Sequence, residues 1–269
     1  MWRFAKLKLL TRNKQLWLSG ISVTQKLAFY VTVPVSHLRH LTTRKKKIRY
    51  FGEDFYYDNL ATPLCLMTYP YEITAKVQHN LGKKISSVLD IGGNIGQFSV
   101  TMKKLVKPKT IDILEPNPEI YDILVKNVSR LKGVRTFNVG VGESTDGKMF
   151  FEEGRSGLGS LIKKNAGRQN RVHQVNINLV QDISKITKKK HYDLVKIDVE
   201  GYESHVLKQL KSLSFNYLFI ELSGGSRVKD YKHSEILELI KNNVGDYDIL
   251  HTSESNLQSP SFEVLLKFT

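Results

Sequence analysis

From residue 85 onward, short apolar runs alternate with amphipathic stretches of helical length, and this alternation constrains the fold more than any other feature of the sequence. It is typical of a parallel sheet, because buried strands are apolar and the helices between them cover both faces of the sheet. Strands are predicted at Ser87–Ile91, Thr110–Leu114, Arg135–Val139, Asp193–Asp198, Tyr217–Glu221, Tyr247–His251 and Glu263–Phe268, and helices at Gly96–Val106, Pro118–Leu131, Glu203–Leu213 and Ser234–Asn243. We therefore predict a Rossmann-like α/β fold with a mostly parallel seven-stranded sheet whose last strand is antiparallel.

Positive charge is concentrated at the beginning of the chain. Twelve Lys and Arg residues lie in the first fifty positions, ahead of the first acidic residue, Glu53, whereas the other 29 are nearly balanced by 26 Asp and Glu. No apolar run in this segment is long enough for a membrane span, because Gln25, Lys26, Pro34 and His37 interrupt it. Three interpretations fit: a solvated basic helix, a mitochondrial-type presequence, or attachment to an anionic membrane surface.

A glycine-rich turn follows the first strand of the alternating region, in the sequence VLDIGGNIGQFSV. Glycine suits unusual dihedral angles, and its missing side chain lets a ligand approach the backbone. A dinucleotide-type G-x-G-x-x-G motif starting at Gly92 would need glycine where the chain has Asn94 and Gln97. Gly92 and Gly96, preceded by Asp90, instead match the D-x-G-x-x-x-G pattern of enzymes that bind S-adenosylmethionine. The alternative is a structural turn without a ligand.

An acidic residue ends the next predicted strand, in Glu115-Pro116-Asn117-Pro118. Like the acid that follows a dinucleotide-binding turn, Glu115 is placed to accept hydrogen bonds from the ribose hydroxyls of an adenosine. Taken alone, it is as well explained as an acid that favours the beginning of a helix. We include Asn117, two positions further on, in the predicted cofactor site together with Asn94.

The fourth predicted strand ends in a group of charges, Lys196-Ile197-Asp198-Val199-Glu200, and such charges are costly to bury unless they are paired or functional. Strand alternation places Lys196 and Asp198 on one face, and Glu200 follows as the chain turns. We predict that Asp198 or Glu200 removes a proton from the acceptor, with Lys196 in the same catalytic group. One alternative is a salt bridge from Lys196 with capping of the next helix. Another is a divalent metal held by Asp198, Glu200 and Glu221, but we predict no metal.

Three motifs in order, VLDIGGNIGQFSV, ILEPNPE and LVKIDVEGYESHVL, resemble the FkbM-type methyltransferase family over roughly residues 70–225. The resemblance implies a methyltransferase sheet, S-adenosylmethionine as cofactor, and O-methylation of a hydroxyl on a sugar, glycan or related small molecule. It also implies a functional role for the KIDVEGYE segment and cofactor contacts at Asp90, Gly92, Asn94, Gly96 and Glu115. One departure is that the chain has Asn178-Leu179-Val180 where many relatives have a T-L-D-type strand end, and its next acid is Asp182.

A long glycine-rich and basic segment, GRSGLGSLIKKNAGRQN, covers residues 154–170. Because long loops in compact domains are often functional, we predict that it helps to form the acceptor pocket with Arg155, Ser156 and Ser160; a mobile surface hairpin is the alternative. Four histidines are alternative bases for the acceptor: His173, His191, His205 and His233.

The predicted organisation is a basic extension over residues 1–49, a hairpin and lid helix over 50–82, and an S-adenosylmethionine-binding domain over 83–269. A nucleic-acid methyltransferase suits the pI of about 9.7, but no Asn/Asp-Pro-Pro-aromatic element follows the fourth strand, so nucleic acid is the less favoured partner. A catalytically silent domain that binds a membrane or partner is the other alternative. The single cysteine, Cys65, favours a reducing compartment, and we predict a cytoplasmic protein with peripheral membrane contact through residues 1–49.

Overall fold

A computed structural model of the chain describes residues 46–57, 77, 79–81, 85–152, 172–223, 233–252 and 261–269. These residues belong to one unit that spans Lys46–Thr269. Three predicted features lie outside the described residues: the basic extension up to residue 45, most of the lid helix that the sequence places over Glu72–Leu81, and the loop 154–170. Within the described ranges, no helix is both long and apolar enough to cross a membrane.

A seven-stranded sheet forms the centre of this unit. Its strands are β3 (Ser87–Ile91), β4 (Thr110–Leu114), β5 (Val134–Phe137), β9 (His191–Ile197), β10 (Ser214–Ser223), β11 (Tyr247–Thr252) and β12 (Ser261–Phe268). They lie in the order β11-β12-β10-β9-β3-β4-β5, in which β12 is antiparallel to both its neighbours and the remaining pairs are parallel. The predicted fold class, with its antiparallel last strand, is confirmed.

Helices cover both faces of the main sheet. They are α1 (Gln97–Leu105), α2 (Pro118–Val128), α3 (Ile183–Thr187), α4 (Glu203–Lys208) and α5 (His233–Asn243). Phe98 of α1 and Leu124 of α2 pack in the core on one face, and Leu207 of α4 and Ile240 of α5 pack in the core on the other. The helix predicted over Glu203–Leu213 is shorter than expected, because its last part tightens into a 3-10 turn at Leu210–Ser212 before β10 begins.

A second sheet of three strands lies outside the predicted elements. β6 (Gly140–Val141) and β7 (Asp146–Glu152) flank β8 (Val172–Val180), with β7 antiparallel and β6 parallel to it. Met149, Ile177 and Leu179 form its small core. The sequence contains a signal for β8, because apolar residues at every second position from Val175 to Leu179 alternate with asparagines, as in a half-buried strand.

A hairpin precedes the main sheet and packs against it. Its strands, β1 (Lys47–Tyr50) and β2 (Glu53–Tyr56), are antiparallel and join at Phe51 and Gly52, whose φ angles are 49° and 81°. It begins earlier than the hairpin predicted from Tyr50. The hydroxyls of Tyr50 and of Thr101 on α1 are hydrogen-bonded at 2.6 Å, so the hairpin is joined to the first helix of the main domain.

Asn127, on α2, fastens the hairpin to the turn that follows β3. Its Oδ1 accepts a hydrogen bond from the N–H of Tyr56 at 2.7 Å, and its Nδ2 donates to the carbonyl of Tyr56 at 2.9 Å. The same Nδ2 donates to the carbonyl of Ile95 at 2.8 Å. One side-chain amide is therefore bonded to the hairpin and to the glycine-rich turn at once.

Candidate functional site

The strands β3, β4 and β9 end together at one edge of the main sheet, here called the carboxyl edge, and the predicted site residues lie at these ends or follow them. β3 lies between β4 and β9, so the turn after it contacts both. The N–H groups of Gly92 and Gly93 donate to the carbonyl of Leu114 on β4 at 3.0 and 2.9 Å. The N–H of Asp198, after β9, donates to the carbonyl of Ile91 at 3.1 Å. The glycine-rich turn is thus held between two strand ends.

Two glycines of this turn are required by the protein itself. Gly92 and Gly96 have φ angles of 79° and 88°, which glycine adopts without strain. A Cβ atom on Gly92 would lie 1.9 Å from the carbonyl oxygen of Asp198, and one on Gly96 would lie 2.8 Å from Cδ1 of Leu124. The sequence interpretation assigned the missing side chain to ligand approach; in the structure it is the neighbouring strand end and the core that exclude a side chain.

Glu115 is buried at the end of β4, with 4% of its surface exposed. Its Oε2 accepts a hydrogen bond from the N–H of Asn94 at 2.8 Å, and its Oε1 accepts one from the N–H of Asn117 at 2.9 Å. Burial raises the pKa of Glu115 to about 7, although the two hydrogen bonds oppose this shift. A carboxylate has about four acceptor positions, so this side chain retains capacity for hydroxyl donors of a ligand.

Three buried polar atoms at the carboxyl edge have no hydrogen-bond partner among the described residues: Asp90 Oδ1, Gln97 Nε2 and Asn117 Nδ2. Buried polar groups in proteins are rarely left in this condition. A polar ligand would satisfy the two amides, and Asn117 is otherwise occupied only through its Oδ1, which accepts a hydrogen bond from the N–H of Glu119 and caps α2. The residues after β3 and β4 therefore fit a nucleoside with a polar extension, such as S-adenosylmethionine.

Lys196 is a buried cation between two carboxylates. Its Nζ lies 3.4 Å from Oδ1 of Asp90 and 3.3 Å from Oδ2 of Asp198, and it donates to the carbonyl of Gly92 at 3.1 Å. Burial alone would lower the pKa of Lys196, but the negative charges of Asp198 and Asp90 outweigh this effect and raise it. The salt bridge that the sequence offers as an alternative for Lys196 is therefore present, and it joins β9 to β3 and its turn.

Glu200 lies in a strained turn between β9 and α4. Its φ angle is 50°, and that of the following Gly201 is 94°. A non-glycine residue in this left-handed region costs free energy, and such strain is found most often at functional sites. The N–H of Gly201 donates to the buried carboxylate of Glu203 at 2.9 Å, which fixes the turn. Glu200 is thus held on a defined backbone two residues beyond Asp198.

Two residues that the sequence interpretation left out support this site. Ser99 donates to Oδ2 of Asp90 at 2.7 Å, and the ring centroid of Phe98 lies 5.7 Å from Nζ of Lys196. Both belong to the first turn of α1. The sequence could have indicated both residues by their position shortly after Gly96, because the first turn of a helix that begins at a ligand-binding turn lies close to the ligand.

Two further carboxylates extend the charged edge beyond β9. Glu221 on β10 follows Ile220, which pairs with Ile197, and is therefore level with Asp198. Glu263 on β12 lies directly opposite Glu221. Among the residues that the structure describes, no three His, Cys, Asp or Glu side chains are close enough together to hold a metal ion. Asp198, Glu200 and Glu221, the alternative metal ligands, therefore do not form such a group.

The remaining candidates lie elsewhere or are not described. His191 lies at the opposite edge of the sheet, where its Nδ1 is 3.0 Å from Oγ of Ser214, and Asp182 caps α3. His205 stacks on Tyr202 with ring centroids 4.1 Å apart, and burial lowers its pKa. The residues Arg155, Ser156 and Ser160 and the side chains of His173 and His233 are outside the described part of the chain.

The chain matches the family model described as the methyltransferase FkbM domain over residues 90–247, more than half of its length. Methyltransferase 1 of Beauveria bassiana (strain ARSEF 2860) is 28% identical to it, with 46% of this chain and 58% of that protein covered. Hexuronic acid methyltransferase AglP of Haloferax volcanii is 26% identical, with 52% and 57% covered. The chain therefore spans less than two thirds of the length of either relative.

Two solved methyltransferase structures are among those with a similar arrangement. The methyltransferase FkbM from Methylobacillus flagellatus KT is 15% identical, with a TM-score of 0.46 over 76% of this chain and 53% of that chain. The magnesium protoporphyrin IX methyltransferase ChlM from Synechocystis PCC 6803 is 11% identical, with a TM-score of 0.47 over 93% and 99%.

Proposed function

Because the chain belongs to the FkbM methyltransferase family and is an S-adenosylmethionine-dependent methyltransferase, we propose that its acceptor is a hydroxyl group of a sugar, glycan or related small molecule. The observation that carries this proposal is the position of Asp198 and Glu200, which follow β9 beside the glycine-rich turn. A hydroxyl is a poor nucleophile until its proton is removed, so its methylation needs a base such as a carboxylate. A relative named as a hexuronic acid methyltransferase supports an acceptor of the sugar type.

We propose that the cofactor is held by residues at the ends of β3 and β4 and in the turns that follow them: Asp90, Gly92, Asn94, Gly96, Glu115 and Asn117. Glu115 would accept hydrogen bonds from the ribose hydroxyls, and the unpartnered Nδ2 of Asn117 would donate to the nucleoside. The N-terminus of α1 would bind the methionine part, since free helix N–H groups favour a carboxylate. When bound, S-adenosylmethionine supplies a methyl group on a positively charged sulfur.

The chain's own contribution to the reaction would be alignment and proton removal. Glu200, on its strained turn, would accept the proton of the acceptor hydroxyl as the oxygen becomes methylated. Asp198 would accept a hydrogen bond from a neighbouring hydroxyl of the same sugar and so orient it. Lys196 would hold Asp198 in place, because its buried ammonium lies 3.3 Å from that carboxylate.

Cofactor affinity is expected to depend on pH through Glu115. If the ionised carboxylate accepts the ribose hydroxyls, the dissociation constant of S-adenosylmethionine should fall by up to about tenfold between about pH 6 and about pH 8, on either side of its raised pKa. In Glu115→Gln this dependence should disappear. Isothermal titration calorimetry measures both proteins, and an equal pH profile for the two would contradict the role of Glu115.

The same pKa has a second expected effect, on stability without cofactor. Between the ordinary value of 4.5 and the raised value of about 7, the folded chain keeps a proton on Glu115 that the unfolded chain has lost. The free energy of unfolding attributable to this group should therefore fall as the pH rises through that range. Urea denaturation of the wild type and of Glu115→Gln across the same pH range separates this contribution from all others.

The acceptor class is tested by transfer of labelled methyl from S-adenosylmethionine to a panel of neutral sugars, hexuronic acids, glycans and oligonucleotides. We expect label on a sugar-type acceptor in an alkali-stable ether. Label that alkali removes would indicate methylation of a carboxyl group instead, and label confined to oligonucleotides would contradict the proposal. Lys208→Met serves as a control variant. It changes an exposed lysine that pairs with Glu143, and transfer should stay unchanged.

We also propose a cytoplasmic location with attachment of residues 1–49 to an anionic membrane surface. The twelve basic residues in the first fifty positions, without an acid before Glu53, support this part of the proposal.

A further inference from the structure

Basic residues on the described unit gather at the edge of the main sheet opposite the candidate site, here called the amino edge. At this edge the loops before β4, β5 and β9 lead into the parallel strands. They carry six exposed cations: Lys107, Lys109, Arg130, Lys132, Lys188 and Lys190. We propose that the amino edge is a docking surface for an anionic lipid bilayer. This proposal does not depend on the acceptor proposed above.

The cations of the amino edge outnumber the acids beside them. In the described ranges, none of the six cations forms an ion pair. The acids at this end have other partners. Asp112 accepts hydrogen bonds from Nε and Nη2 of Arg135 at 2.7 and 2.9 Å, and the N–H groups of Ser86 and Ser87 donate to Asp193 at 2.8 Å. The six cations are therefore available to an external anion.

An exposed aromatic residue accompanies these cations. Phe51, at the turn of the hairpin, is 36% exposed. The next residue but one, Glu53, pairs with Lys104 in the last turn of α1, which places the hairpin turn beside the loop before β4. The hydrogen bond from Lys104, together with the more distant charge of Arg130, lowers the pKa of Glu53. An aromatic ring among cations suits the headgroup region of a bilayer, where aromatic and basic side chains are both favoured.

The shape of the surface favours a bilayer over a nucleic acid. The three loops lead into β9, β4 and β5, and the strand order here is β9-β3-β4-β5. The cations therefore extend over three strand spacings, or about 14 Å. They lie along a sheet edge on separate loops. A broad edge of this kind can contact many lipid headgroups at once, which matters because each cation contributes only a small part of the affinity.

The position of the six cations would orient the protein on the membrane. They lie at the edge of the main sheet opposite the candidate site, so an anionic surface would attract the amino edge. The methyl-transfer site would then face away from the lipid and remain open to an acceptor arriving from water.

Vesicle sedimentation of the full-length chain tests the proposal. The test variant is Lys109→Glu with Lys132→Glu, and the control is Lys148→Glu with Lys208→Glu, which makes the same charge change on β7 and α4. Binding to phosphatidylcholine vesicles that contain phosphatidylserine should weaken by at least about 30-fold in the test variant and far less in the control. Phe51→Ser should weaken it severalfold. Retained cofactor binding shows that each variant is folded.

Three outcomes would overturn the proposal. Equal losses in the test and control variants would show that only net charge matters, and unchanged binding in the test variant would assign any membrane contact to another part of the chain. Loss of binding to an oligonucleotide, with vesicle binding retained, would identify the amino edge as a nucleic-acid surface. Raising the salt concentration should weaken wild-type binding to the vesicles, because exposed charges are screened.

Discussion

Replacement of Glu200 by glutamine is expected to lower kcat by about 10²–10⁴-fold, the usual contribution of a general base, with cofactor affinity little changed. Glutamine has nearly the same shape and can occupy the same turn, whose φ angle at this position is 50°. Only the proton-accepting capacity is lost. Single-turnover kinetics with labelled S-adenosylmethionine and the identified acceptor measures the effect on the chemical step.

Asp198→Asn is the matched comparison for Glu200→Gln. Because the carboxylate of Asp198 is already paired with Lys196 at 3.3 Å and is assigned to orienting the acceptor, we expect a smaller loss of turnover. A larger loss in Asp198→Asn would indicate that Asp198 is the base and that Glu200 orients the acceptor. Near wild-type turnover in both variants would make these carboxylates structural. Inactivation by a chelator, with recovery on addition of a divalent ion, would favour the metal alternative.

Lys196→Met is expected to lower the free energy of unfolding by about 3–5 kcal/mol, as when one partner of a buried ion pair is removed. Asp90 has no exposed surface, and its Oδ1 has no hydrogen bond among the described residues, so without the ammonium its charge would be left in the protein interior. Urea denaturation in the absence of cofactor measures the loss.

A double variant separates charge from packing in this experiment. Lys196→Met combined with Asp90→Asn removes both buried charges and can retain a hydrogen bond with Ser99, so most of the lost stability should return. If the double variant is no more stable than Lys196→Met alone, the lysine contributes through packing on Phe98 rather than through its charge. A loss well below 1 kcal/mol in the single variant would contradict a stabilising role for this ion pair.

The centre of the main sheet could be predicted from the sequence because β3, β4 and β9 are buried on both faces and therefore form largely apolar runs. β3 and β4 are predicted with the bounds that the structure has. The three-stranded sheet lacks such runs. β8 alternates apolar residues with His, Gln and Asn, and only a short cluster of apolar residues stays inside, so its pattern is weaker than that of the buried strands.

The candidate site was accessible to sequence analysis only in part. The order of the motifs predicts that Asp90, Glu115 and Asp198 lie at the ends of neighbouring strands, and the structure places Asp90 near the end of β3, Glu115 directly after β4 and Asp198 directly after β9. What no motif shows is which atoms meet across those strands. The contact of Lys196 with Asp90 depends on the register between β9 and β3, in which these two residues are paired. The 1.9 Å approach that forbids a side chain at Gly92 depends on the same register.

The triple hydrogen bonding of Asn127 bears on how this chain can be divided and recombined. The family match starts at residue 90, yet the side chain that supports the carbonyl of Ile95 also holds the backbone of Tyr56. A chimera joined at residue 90 would remove the two hydrogen bonds between Asn127 and Tyr56 and leave only the one to Ile95. A junction ahead of Lys46 would transfer the hairpin, α2 and the turn together, and is the natural boundary for exchanging this unit between proteins.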